Sequence, residues 1–221
     1  MKSAIRYMPH LLWVYCSAHL LNLCVHDAID KNTHLVESIS KCRSVVGSFN
    51  HSGPLSLKLV QKQKHYVDKH PEREYKFCKL YQDVSTRWNS TYTMIESVLR
   101  NQEPLLDVLH YDREVKLANK LEEADFAILK QLSIVLKPFK ELTDLLGGSR
   151  YVTATSIFPA IYSLYHAILP NIVVQNEECR EIRESLRARL FERFDFILDR
   201  EPNELFLGIV LMCLLVVINI N

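Results

Sequence analysis

Hydrophobic positions along this chain fall mostly at intervals of three and four, the spacing of one face of a helix. The exception near the start is LLWVYC, residues 11–16, short, aromatic and β-branched, which predicts a buried strand rather than part of a signal peptide. Leu20, Leu21, Leu23, Cys24, Ala28, Leu35, Ile39, Val45 and Val46 then predict one long or once-broken helix to about Ser48. Asn50, His51, Ser52, Gly53 and Pro54 mark the clearest break, with Pro54 in the first turn of a basic helix over 55–69. Residues 71–81 carry no clear pattern. Ser85 or Thr86 is expected to cap a helix over 87–100 with Tyr92, Ile95, Val98 and Leu99 inward, and Pro104 to start another short helix.

From Phe126 through Leu129, Leu132, Val135, Leu136, Phe139 and Leu142 to Leu145 runs a sustained apolar stripe, expected to kink at Pro138 and end at Gly147 and Gly148. A helix starting near Thr153 or Thr155 carries Ile157, Ile161, Leu164, Tyr165 and Ile168. The amphipathic stretch 177–199 turns Ile182, Leu186, Leu190, Phe194 and Ile197 inward and an alternating charged face outward. Residues 205–218 hold no charge, a run shorter than the roughly 20 residues of a membrane span, and a buried element or an aberrant terminus is expected there.

Composition narrows the class. The chain has 221 residues, 48% of them hydrophobic, and only 5 glycines, which favours long helices around a packed core. With 27 Lys+Arg against 26 Asp+Glu, any nucleic-acid contact must come from a local patch rather than from global charge. The 6 cysteines show no C-x-x-C pairing, which points to a reducing compartment rather than a disulfide framework.

Three stretches, in order, resemble the hAT superfamily of DNA transposases and their BED-type zinc-finger relatives. CSAHLLNLCVHDAI holds a C-x-x-H at Cys16 and His19 followed by Leu21, Asn22 and Leu23; DVSTRWNSTYTMIESVL holds Arg87 and Trp88; LKPFKELTDLLGGSRYVTATSIFPAIYSL follows. The resemblance covers residues 15–199. It implies a mainly α chain: the helical insertion domain of an RNase H-like transposase core, with a short strand near the N-terminus. The expected division is 1–30 as a remnant of that core, 31–200 as the helical insertion and 201–221 as a divergent apolar tail. In the family three acidic residues hold Mg²⁺ or Mn²⁺ for strand cleavage and transfer. The resemblance places two of them upstream of the C-x-x-H block, so no catalytic residues, no metal ligands, no cofactor and no enzymatic activity are expected of this stretch, and no BED-finger zinc.

The candidate nucleic-acid residues are Arg87, Trp88, Lys58 and Lys62. An aromatic ring beside a guanidinium can stack on an unpaired base while the cation holds a phosphate, and the resemblance associates this tryptophan with a base flipped out at the cleaved end. A ring that simply anchors a helix to the core is the competing role. Lys58 and Lys62 can follow a phosphate backbone or form a solvated face. Cys16 and His19 are expected to be structural rather than half of a zinc site, Asp83 a turn or cap residue, and Tyr162, Tyr165 and His166 ordinary packing. The expected protein is transposase-derived, nuclear and non-catalytic, binding DNA or protein partners, itself included. The alternatives are a non-functional truncated transposon product, or a helical protein tethered to a membrane by its tail; a membrane partner is the less favoured.

Overall fold

A computed structural model describes residues 16–112, 115, 120–148 and 154–199. The strand expected at 11–16 lies outside these apart from Cys16, as does the tail 201–221. Among the described residues every regular element is helical, as expected, and no helix is long and apolar enough to cross a membrane.

The first helical stretch is broken once. α1 (Ser17–Ile29) stops at Asp30, and Asn32 caps α2 (Thr33–His51) by accepting the Leu35 N–H at 3.1 Å, supplying one of the orphan donors of a helix start. Ser52 ends α2 and its hydroxyl accepts the Leu55 N–H at 3.4 Å, opening α3 (Gly53–Lys69) with Pro54 in its first turn. Leu59 is the one fully buried residue of α3; Leu57, Val60 and Val67 are exposed, so this helix rests on the periphery, against α2 and the 102–111 turns.

Residues 71–87 hold no regular element. They are fastened to α4 (Trp88–Arg100) by polar side chains in place of strand pairing. Asn101 is fully buried and donates to the carbonyls of Cys78 at 2.8 Å and Ser97 at 2.7 Å, while its Oδ1 accepts from Gln63 at 2.6 Å. The Ser97 hydroxyl accepts the Tyr81 N–H at 3.1 Å. These bonds satisfy backbone groups that would otherwise be buried without partners.

α5 (Gln102–Leu106) passes into a π-helical turn at Asp107–Tyr111. α6 (Glu123–Gly148) runs on through Pro138 as one element rather than breaking there; Val135, Leu136 and Phe139 are fully buried around it and hold both halves against the core. Its first turn is set by Asp125, whose carboxylate accepts the Glu122 N–H at 3.0 Å, the Ser38 hydroxyl at 3.0 Å and the Lys41 ammonium at 3.3 Å. α7 (Ala154–Ser163) leads through a second π turn (Leu164–Ile168) and the short α8 (Leu169–Asn171) to α9 (Glu177–Leu198).

α4 packs against α6, α2 and α1, and α1 against α9. Met94, Ile95 and Val98 of α4 are fully buried, as are Leu21 and Val25 of α1 and Leu186 and Leu190 of α9. The inward face expected of α9 is buried throughout. Leu23, Leu99, Ile157 and Tyr165 are half-buried, and two expected core positions are exposed. Leu145, in the last turn of α6, is 49% exposed, and Ile168 is 42% exposed because the π turn adds a residue and rotates the positions after it.

Candidate nucleic-acid interface

The three sequence blocks meet at Trp88. Its backbone N–H donates to Asn22 Oδ1 of α1 at 3.3 Å, and its ring lies edge-on to Tyr92 (6.4 Å between centroids) and to Phe139 of α6 (6.5 Å). Asn22 belongs to the first block, Trp88 and Tyr92 to the second and Phe139 to the third, so motifs up to 117 positions apart, counting from Asn22 to Phe139, share one contact centre. The indole is 2% exposed. Stacking on a flipped base would require the ring to leave this pocket.

Arg87, one residue earlier, is exposed. It is the N-cap of α4, in extended conformation and without a side-chain cap. Ser85 and Thr86 therefore do not cap this helix. The turn before it is closed by Ser90, whose hydroxyl accepts the Val84 N–H at 2.9 Å and lies 3.0 Å from the Val84 carbonyl and 2.7 Å from that of Arg87. The Arg87 N–H donates to the Val84 carbonyl at 2.8 Å. Its guanidinium makes no ion pair or hydrogen bond among the described residues.

Asp83 is neither a turn nor a cap residue. Its side chain is 1% exposed and accepts a forked pair of bonds from Arg43 of α2: Nε at 2.9 and 3.0 Å, and Nη2 at 2.6 Å. The Thr91 hydroxyl adds a third partner at 3.0 Å. Burial pushes the carboxyl pKa up, but the bonds from Arg43 and Thr91 outweigh it and hold the group below the usual carboxylate value. Arg43 is raised in turn, chiefly by the same bond. The planar guanidinium suits this bidentate arrangement. A loop position and a helical arginine 40 residues apart carry no signal in the sequence that would pair them.

Lys58 and Lys62 both face carboxylates. Lys58 lies 2.8 Å from Asp112 and Lys62 lies 3.2 Å from Asp107, tying α3 to the π turn and the residue after it. On the same helix Lys64 and Lys69 are exposed and make no ion pair among the described residues. Cys16 and His19 are both exposed at the N-terminal end of α1. Among the described residues no group of three or more His, Cys, Asp or Glu side chains is placed to hold a metal. Burial pushes the Cys24, Cys42 and Cys179 thiols up to about 12, so they stay protonated and act as apolar core groups.

Residues 14–134, more than half of the chain, match the family described as the ZBED1 RNase-like helical domain. This chain belongs to that family. A protein of Zea mays described as "Putative AC transposase" is 31% identical over 147 residues, covering 66% of this chain and 17% of its own length. A second from Zea mays, "Putative AC9 transposase", is 28% identical over 170 residues, covering 66% of this chain and 19% of its own. The hAT-like character implied by the three blocks is thus supported by sequence similarity along most of the described helices. The stretch matched to this chain spans less than a fifth of either relative's length.

Proposed function

We propose that this chain serves as a DNA-contacting helical module of an hAT transposase-derived protein acting in the nucleus, and that the helical module does not itself catalyse strand transfer. The observation that carries the reading is Arg87: an exposed guanidinium without an acidic partner among the described residues, at the start of a helix whose preceding turn is closed by the Ser90 hydroxyl. A phosphate there would meet both the cation and the positive end of the α4 dipole. Trp88 supports this contact from beneath by anchoring the first turn of α4 to Tyr92 and Phe139. Lys64 and Lys69 are better suited to phosphate than Lys58 and Lys62, whose charges are already balanced by Asp112 and Asp107.

The divalent metal pair that the resemblance implies does not fit the residues described. Asp83 and Asp125, the most buried carboxylates near the motif blocks, are each committed to a base and a hydroxyl. Purified chain with Mg²⁺ or Mn²⁺ is therefore expected to leave a labelled transposon end uncut; nicking would overturn that half of the reading. For the DNA half, Arg87→Ala is expected to weaken binding to a duplex with unpaired ends about tenfold, as loss of one charge-assisted contact would, in a fluorescence anisotropy titration. Unchanged affinity would remove Arg87 from the interface.

A second reading rests on a different surface. Phe191 and Ile168 are exposed beside Tyr165, whose ring lies 6.0 Å from Phe191 and 4.9 Å from the Arg187 guanidinium. An aromatic patch rimmed by charges already paired within α9, such as Arg187 with Glu184, suits a protein partner better than a phosphate backbone.

A further inference from the structure

We propose that Asp83, held by Arg43, is the positioning residue for Arg87, fixing the turn that presents its guanidinium. The DNA-contact role of Arg87 is the reading given above, on which the affinity arm of this proposal rests. The geometry is that of a closed lacing. Asp83 grips α2 through the forked Arg43 pair and grips the first turn of α4 through Thr91. Between those grips lie residues 84–90, closed by the Val84–Ser90 and Val84–Arg87 bonds. The Val84 N–H and carbonyl and the Arg87 N–H and carbonyl are thus engaged, while the Arg87 guanidinium makes no ion pair or hydrogen bond among the described residues.

A carboxylate buried to this degree is costly to keep charged unless it is fully partnered. A cap at this turn could be supplied by an exposed serine, threonine or asparagine without burial. What the ion pair adds is reach. It links α4's start to α2, an element to which neither Ser90 nor Asn22 is hydrogen-bonded among the described residues, and so fixes the direction in which the Arg87 side chain leaves the surface. A flexible arginine loses conformational freedom on binding a phosphate, and a fixed backbone beneath it lowers that loss.

The test uses Asp83→Asn, which keeps the shape but removes the charge, and Arg43→Lys, which keeps the charge but removes the fork. Two readouts are taken on the full chain, at a temperature where melting curves show each variant folded. Amide hydrogen exchange should quicken about tenfold or more at Val84, Arg87, Trp88 and Thr91 in both variants, and stay unchanged in α9. Affinity for a duplex with unpaired ends should fall about tenfold with Asp83→Asn, and by nothing further when Asp83→Asn is added to Arg87→Ala. Unchanged exchange at 84–91 would overturn the proposal, and so would an equal affinity loss in the presence and absence of Arg87. If the unaltered chain binds no DNA, the DNA reading fails and the exchange result alone decides whether Asp83 positions this turn. Should Asp83→Asn not fold, Arg43→Lys carries both readouts.

Discussion

Trp88 and Asp83 sit five residues apart and are both buried, yet they hold the structure by different means, and different perturbations separate them. Trp88 fills space between α4 and α6, so Trp88→Ala leaves a cavity the surrounding helices cannot close. Loss of about 3–5 kcal/mol is expected in chemical denaturation, with the change in midpoint rather than in slope. Asp83 contributes charge. Its folded pKa is depressed, so its contribution is fully present above the unfolded value near 3.9 and is lost as pH falls through the lower folded value. The melting temperature of the unaltered chain should therefore drop below about pH 4 more steeply than that of Asp83→Asn, whose side chain does not titrate. Parallel acid limbs would show that the Arg43 pair contributes little to folding.

Among the elements, the extended stretch before α4 depends on side chains of the helices around it. Asn101→Ala strips one donor each from the Cys78 and Ser97 carbonyls and leaves Gln63 only its longer bond to the Cys78 carbonyl. It is expected to cost about 2 kcal/mol and to make residues 71–81 the first site of tryptic cleavage, detected by mass spectrometry. This stretch also shows where sequence reading stops. Helices α6 and α9 were legible because their apolar residues repeat at 3.6-residue spacing, and α3 because the Asn50 to Pro54 break disfavours continuing a helix and sets Pro54 in the first turn of the next. The three motif blocks were legible by resemblance. Their meeting at Trp88 was not, since Asn22, Trp88 and Phe139 are brought together only by tertiary packing. Arg87 could be named from its motif, whereas the Arg43–Asp83 pair beside it depends on the geometry of two helices and a loop. Lys58 and Lys62 stood out as a basic stripe because their neutralising partners, Asp112 and Asp107, lie some 45 to 54 residues further along.

Across the whole molecule, a formal net charge of +1 leaves little long-range attraction for a polyanion. If Arg87, Lys64 and Lys69 supply the phosphate contacts, the log–log dependence of DNA affinity on salt should have a slope of about three or less, at roughly 0.9 per neutralised phosphate. A much steeper slope would require basic residues beyond these. The packing of α1 on α9 has a consequence for how the chain is made. Cys24 of α1 donates to the Arg189 carbonyl of α9 across 165 positions, and Asp27 pairs with Arg193. At about 5–20 residues per second, a ribosome needs on the order of ten to thirty seconds between synthesising those two helices. Throughout that interval the apolar flank of α1 waits without its partner, which makes the nascent chain a natural client for chaperones until α9 emerges.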